Sequence, residues 1–317
     1  MDFVIFILAM GALVVGADFI VNQSERVALH FNISEFVIGA TIIALGTSLP
    51  EMAASVSANF SGKPEIALAN AIGSNIFNIT MVLGTIFLIT KNINPNRDFF
   101  AKDTTWALVP IMLFLLMAID GSISFFDGIL LLLLMGAYIL FLLNDCHNLD
   151  NNLEEIKKKD DFSWSKIILF LAIGFIFVIV GSHFAIESAS SIALDFGLSE
   201  WVIGIIMISF GTSLPELVIS VSAAIKGKVD MAIGNVIGSN LANTTLVIGF
   251  SALVKDLPVS LVENVFDIST MVASTILLIY ITANKLYSKP AGIALLIMLA
   301  LFLEHTFNTM SSAKVLS

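Results

Sequence analysis

The sequence predicts an all-α polytopic membrane protein of ten transmembrane helices, arranged as two inverted-topology repeats of five. Three observations carry that expectation. With 57% hydrophobic and 13% charged residues and a mean hydropathy of +0.97, the 317-residue chain lacks the polar surface needed to cover a soluble globule. Ten apolar runs of spanning length lie between polar clusters. One stretch also occurs twice: ALGTSLPE at Ala44–Glu51 leads to ANAIGSNIFN at Ala69–Asn78, and SFGTSLPE at Ser209–Glu216 leads to GNVIGSNLAN at Gly234–Asn243, each pair 165 residues apart.

The expected spans are 3–21, 36–58, 66–90, 104–119, 125–143, 166–190, 200–224, 230–254, 265–283 and 290–308. The first begins MDF, with an acid where a secretion signal carries basic residues and no small-residue cleavage pattern before Asn22, so it reads as a retained helix. After the fifth comes the polar stretch Asn144–Ser165, with six acids and three lysines, dividing the chain into repeat 1–143, linker 144–165 and repeat 166–317. Five spans per half is an odd number, so the second half must start from the opposite face; homologous halves of odd count are inverted repeats. The likeness extends upstream of the motifs, VGADFI at 15–20 matching VGSHFA at 180–185 and ALHFNISEFVIG at 28–39 matching ALDFGLSEWVIG at 193–204. Basic residues set the orientation. Lys63, Lys255 and Lys314 share the side of the N-terminus, against twelve on the other, including Arg26, Arg97, Lys157, Lys226 and Lys228; this puts both termini outside and the linker in the cytoplasm of a cell-membrane protein.

Both copies of GTSLPE place an acid inside an apolar span, where it costs roughly 2.5–3.5 kcal/mol at the helix centre. Such a residue needs a partner. The proline removes one helical hydrogen bond and clashes one turn back, freeing carbonyls around Ala44 and Thr47, and GSN at 73–75 reads as a second interruption, with Asn78 one turn on. Inside a bilayer, freed carbonyls persist only in protein or beside a watery cavity. The second, third, seventh and eighth helices are thus expected to be broken at the centre. Every group on offer there is oxygen: the carboxylates of Glu51 and Glu216, the hydroxyls of Ser48, Ser74, Ser213 and Ser239, asparagine amides and carbonyls. That set suits hard cations such as Ca²⁺ or Na⁺, and neither motif has the cysteine or histidine that softer metals prefer. Two ionised glutamates balance one Ca²⁺ or two Na⁺, and a third Na⁺ leaves the site with one positive charge. Competition between the two loads gives antiport, and an empty site with two bare carboxylates is reluctant to switch sides.

GTSLPE and GSN in two inverted copies resemble the cation/Ca²⁺ exchanger superfamily, most closely its prokaryotic Na⁺/Ca²⁺ exchangers, over the whole chain. The resemblance implies four central cation positions. Glu51 and Glu216 would bind Ca²⁺ with the carbonyls of Thr47 and Thr212, while Ser48, Ser74, Ser213 and Ser239, with the carbonyls of Ala44 and Ser209, would complete flanking Na⁺ positions. The first and sixth helices would slide across this core. Many members pair the first-copy Asn with an Asp in the second copy; here Asn78 and Asn243 are both Asn, which lowers the maximum charge from minus three to minus two. The reading adopted is that Asn243 stands in for a protonated Asp, so that three Na⁺ still exchange for one Ca²⁺.

Competing readings leave fewer marks. A proton-coupled Ca²⁺ exchanger needs a group that titrates near neutrality, and a K⁺-assisted one is disfavoured without the second-copy acid. An intramembrane hydrolase needs a serine with a basic partner, HExxH or paired aspartates, none of which is present, so no enzyme is expected. A net charge of −10 does not suit nucleic acid. No cofactor is expected beyond the transported ions, and no protein partner is evident; the bilayer is the surrounding medium. Cys146 reads as a free linker thiol, His183 and Asp18 as interfacial groups, Asp120 and Asp127 as solvated acids, and Asn75 and Asn240 as caps for broken helix ends. Asn70 and Asn235 receive no firm role.

Overall fold

The computed structural model describes residues 2–90, 93, 95–146, 162–195 and 211–315. Among these, eight helices are long and apolar enough to cross a membrane, and a pair bent by 41° makes a ninth. Residues 200–210, most of the linker and the side chain of Cys146 lie outside the described residues, so only Leu214–Ile225 of the seventh expected span is seen.

In chain order, α1 is Asp2–Phe31, followed by a broken span made of α2 (Glu35–Ile38), a π-helical segment Gly39–Ile43, α3 (Ala44–Thr47) and α4 (Leu49–Phe60). The third span is α5 (Pro64–Phe77), a π segment Asn78–Leu83 and α6 (Gly84–Ile89); α7 (Phe99–Met117) and α8 (Phe125–Cys146) complete the first half. The second half holds α9 (Trp164–Asp195), α10 (Leu214–Ile225), then α11 (Val229–Ala242), a π segment Asn243–Val247 and α12 (Ile248–Val254), followed by α13 (Val265–Ala283) and α14 (Lys289–Val315). The strands, β1 (Ser122–Ile123) and β2 (Leu257–Pro258), pair antiparallel and join the α7–α8 and α12–α13 loops.

Burial separates core from periphery. The spans Pro64–Ile89 and Val229–Val254 each bury 78% of their apolar window, whereas the other six long spans bury 17–39% and present apolar side chains outward. The bent second span packs on α11 with almost no side chain between: a Cβ added to Gly234 would collide with the Phe36 carbonyl, and one added to Gly238 would lie 2.5 Å from the Ala40 carbonyl. Small residues permit this close approach, which is how helices associate in a medium as apolar as their own side chains. Helices α1 and α9 meet similarly at Gly16 and Gly174, outside the central spans.

Two features depart from the sequence expectation. The first helix runs ten residues past the expected end at 21, through a polar segment to Phe31. Lysines of the α10–α11 turn hold this end of the helix: Lys226 pairs with Asp18 and donates to the Asn22 amide oxygen at 2.8 Å, and Lys228 pairs with Glu25 and, at 2.8 Å, with Glu35 of α2. Val27 and Ala28 bury the opposite face against Ile38 and Ile167, so the polar extension is amphipathic and anchored. Second, GSN does not interrupt its helices. Residues 73–75 and 238–240 lie inside continuous α5 and α11, and the irregularity sits one turn on, in π segments that begin at Asn78 and Asn243. Gly73 and Gly238 are followed by residues that bond across the interface, and each helix then continues into a short π segment, a feature that recurs at functional sites.

Candidate cation site

The two serines at the breaks have matching backbones, Ser48 at φ −82°, ψ 1° and Ser213 at φ −88°, ψ 1°. Ser48 ends α3 and stands at the N-cap of α4, and Ser213 stands at the N-cap of α10. Pro50 and Pro215 then fall in a first turn, where an absent N–H leaves nothing unsatisfied. This local chemistry sets Glu51 and Glu216 in the first turns of α4 and α10, at the helix ends whose dipoles favour negative charge. Both are 0% exposed.

Around them, hydroxyls and amides bond in pairs related by the 165-residue offset. The Thr47 hydroxyl lies 3.4 Å from that of Ser239, and the Thr212 hydroxyl 3.4 Å from that of Ser74. Thr47 also approaches the Asn235 amide oxygen at 3.5 Å, and Thr212 donates to that of Asn70 at 3.2 Å. Asn70 in turn donates to Ser55 at 2.9 Å, and Asn235 to Ser220 at 2.8 Å. Each hydroxyl pair draws one member from each half of the chain. Asn70 donates as well to the Glu51 carbonyl, 3.2 Å away, bracing the backbone that carries the carboxylate.

Several polar atoms at this centre are buried without any hydrogen-bond partner: both carboxylate oxygens of Glu51 and of Glu216, the hydroxyls of Ser48 and Ser213, and both side-chain heteroatoms of Asn78 and of Asn243. An unsatisfied buried polar group costs about 1–3 kcal/mol, and charged groups cost more, so native proteins hold few of them. The unpartnered oxygens among them, on residues matched between the halves, are groups that a cation can satisfy. The Thr47 and Ser48 hydroxyls face Glu216, and Glu51 lies within electrostatic reach of Glu216. Among the described residues no three acidic, histidine or cysteine side chains converge, so these two carboxylates carry the site's charge. A cavity of about 490 Å³ runs from Ser182 and His183 of α9 to Pro50, Thr212 and Pro215 beside the centre.

The structure thus brings Thr47 to Ser239, Ser74 to Thr212, and Thr47, Ser48 and Glu51 toward Glu216; Asn78, Ser213 and Asn243 are buried, and Ser209 lies outside the described residues. The Ala44 carbonyl, expected to be free, accepts from the Ser48 amide at 3.0 Å and from the Thr47 hydroxyl at 3.2 Å. A family profile described as sodium/calcium exchanger protein matches residues 1–144 and 166–308, one copy of the motif in each segment. The chain belongs to the sodium/calcium exchanger family. A solved structure of the sodium-calcium exchanger NCX_Mj, soaked with 10 mM Na⁺ and zero Ca²⁺, superposes with a TM-score of 0.79 at 35% identity, covering 96% of this chain and 98% of that one. An uncharacterized membrane protein of Methanocaldococcus jannaschii is 38% identical over 303 residues, 94% of each chain, and the sodium/calcium exchanger MaX1 of Methanosarcina acetivorans is 30% identical over 345 residues, 96% of this chain and 98% of its own.

Within this exchanger-family fold, some site residues escaped sequence reasoning. Asn70 and Asn235 had no firm role, and Ser55 and Ser220 were not singled out, yet they form the layer behind the hydroxyl pairs. The signal was present, since all four keep their identity across the repeat. Asn75 and Asn240 cap no helix end. They lie in continuous helices and bond across them, Asn75 to the Thr244 hydroxyl at 2.8 Å and Asn240 to the Asn75 carbonyl at 3.2 Å. Asp18 is paired with Lys226, and His183, with a side chain 72% exposed, faces Glu187 at 3.7 Å.

Proposed function

We propose that this chain is a secondary antiporter that exchanges Na⁺ for Ca²⁺ across the cell membrane by alternating access, three Na⁺ for each Ca²⁺. The observation that carries the reading is the pair of fully buried, unpartnered carboxylates at Glu51 and Glu216, ringed by hydroxyls from both halves, in a member of the sodium/calcium exchanger family. One Ca²⁺ neutralises both carboxylates, with the carbonyls of Thr47 and Thr212 completing its shell. Ser48, Ser74, Ser213 and Ser239, with the carbonyls of Ala44 and Ser209, take Na⁺ on either side, and Asn78 and Asn243 close the centre with neutral oxygen. For the Ala44 carbonyl to ligate, the Thr47 hydroxyl that now donates to it turns away.

Both loads use the same two carboxylates, so neither binds while the other is present. Exchange follows from that exclusion, because moving an empty site would carry two uncompensated charges through the apolar core. The architecture that serves it is ten spans in two inverted repeats, 1–143 and 166–317, with the termini outside and linker 144–165 in the cytoplasm. An inward Na⁺ gradient then drives Ca²⁺ out.

The test is uptake of radiolabelled Ca²⁺ into proteoliposomes loaded with Na⁺, compared with K⁺-loaded and pH-jump controls, for the wild type and Glu51→Gln. Uptake that requires internal Na⁺ and vanishes in the variant supports the proposal. Uptake driven equally by a pH gradient without Na⁺ sinks it in favour of proton coupling.

A further inference from the structure

Next along α5 and α11 from Ser74 and Ser239, the residues Asn75 and Asn240 line a small cavity of about 10 Å³. Its polar wall consists of Asn75, Asn240, Thr244 and Thr275; the rest is apolar, including Ile79, Trp106 and Pro110. The offset of 165 relates Asn75 to Asn240, Ile79 to Thr244 and Pro110 to Thr275. The cavity is therefore bounded by matched positions of both repeats, but only the second repeat contributes hydroxyls.

The donors around it are committed. Asn75 donates its amide to the Thr244 hydroxyl at 2.8 Å and approaches the Met271 sulfur at 3.7 Å. Thr244 donates to the Asn240 carbonyl at 3.0 Å, Thr275 to the Met271 carbonyl at 3.0 Å, and Asn240 to the Asn75 carbonyl at 3.2 Å. Two acceptors remain, the side-chain oxygens of Asn75 and Asn240, both buried and without a partner; Asn75 as a whole is 2% exposed. Both residues line the cavity, and two unpartnered acceptors there call for a ligand that brings two hydrogens or a positive charge.

We propose that this cavity is a site for one buried water molecule, which donates to the Asn75 and Asn240 side-chain oxygens and ties α5 to α11 at the residues that follow Ser74 and Ser239. The volume is that of a single water, and two polar partners meet the minimum for holding one. A cation is disfavoured because no carboxylate lines the cavity, and an uncompensated buried charge costs far more than the small immobilisation entropy of a water. The site is independent of the transported ions and needs no assumption about what the chain carries.

Radiolytic footprinting of the full chain in detergent tests it, because radicals formed at a bound water oxidise the side chains close by, and the Met271 sulfur lies 3.7 Å from the amide nitrogen of Asn75 in the cavity wall. Met271 is 1% exposed and Met231 is 0% exposed, so bulk radicals reach neither. With water at the site, Met271 oxidises severalfold faster than Met231, and Asn240→Leu, which removes one acceptor and fills the space, abolishes the difference. Equal slow oxidation of the two methionines in the wild type overturns the proposal without recourse to any variant. Fast oxidation of Met271 that survives Asn240→Leu also overturns it, as does an anomalous peak between the two asparagines in crystals soaked in Tl⁺, which would make the occupant a monovalent cation.

Discussion

Gly73 and Gly238 occupy equivalent places in the two GSN motifs, yet the fold surrounds them differently, and alanine at each separates packing from motif identity. A Cβ at 238 would stand 2.5 Å from the Ala40 carbonyl oxygen, 2.7 Å from the Ala40 Cα and 2.8 Å from the Ala44 Cβ. None of these is the yielding tip of a flexible side chain. Ordinary contact begins at 3.4 Å, so the second span and α11 must part by about 0.9 Å. At 73, nothing lies within 4 Å. Overpacking of this kind costs about 1–3 kcal/mol. The helix-propensity gain of alanine over glycine, up to about 1 kcal/mol, is common to both variants and cancels between them. Gly238→Ala is therefore expected to be about 1–3 kcal/mol less stable than Gly73→Ala, which at about 2–4 °C per kcal/mol is a difference of several degrees in Tm. The parting also stretches the 3.4 Å contact between Thr47 and Ser239 beyond hydrogen-bond range, so the Na⁺ concentration for half-maximal exchange should rise in Gly238→Ala alone. Thermal unfolding of the purified variants, with uptake at graded Na⁺, measures both. Equal stability of the two, or a less stable Gly73→Ala, would refute the account of how the second span seats on α11.

Glu216→Gln should weaken Ca²⁺ binding by about 3–5 kcal/mol, two to nearly four decades, because it leaves one positive charge uncompensated in a buried site; calorimetry showing affinity within tenfold of the wild type would contradict it. Asn243→Asp is expected to keep the wild-type reversal potential and pH dependence, as the stand-in role of Asn243 requires, and a changed ion ratio would sink that role. Lys228→Met should lower Tm by only a few degrees, since partly exposed ion pairs contribute about 0.2–1 kcal/mol each. Burial works to lower the Lys228 ammonium from its ordinary value, but hydrogen bonds and charge from Glu25 and Glu35 outweigh it and hold it raised. A raised value means the pairing is fully present below the ordinary lysine range and is lost only as pH climbs through the folded value, so the deficit in Tm should be the same near pH 6 and near pH 9.

Much of the frame was legible because its determinants are local. A span is a run of apolar residues, and the starts and ends expected for 230–254 and 265–283 fall within a residue of Val229–Val254 and Val265–Ala283. What escaped depends on partners far along the chain. Residues 22–31 look too polar for a membrane helix until Lys226 and Lys228, some two hundred residues away, are seen to meet Asn22 and Glu25. GSN looks like a break because glycine, serine and asparagine are poor helix residues in isolation, but Asn75 and Asn240 find cross-helix partners and the helix stays whole. The central acids stood out because nothing in an apolar span explains a glutamate, whereas Ser55 and Ser220 did not, since a small hydroxyl passes for packing.

That the site exists only where the halves meet gives a last prediction. Thr47 needs Ser239, Thr212 needs Ser74, and each half holds one of the two carboxylates. The seam is backbone on backbone, with Gly234 under the Phe36 carbonyl and Gly238 under that of Ala40, so neither half can form its side of the site without the other. The family match leaves out the linker residues 145–165, which points to a connection the site does not use. Expressed alone, residues 1–143 should not bind Ca²⁺. Residues 1–143 and 166–317 expressed together from separate genes should assemble and restore Na⁺-dependent uptake, because the information that joins them lies in the packed faces and not in the connecting chain. Ca²⁺ binding by the first half alone, at an affinity near that of the whole chain, would show that one carboxylate and its own hydroxyls suffice, and the shared site would have to be abandoned.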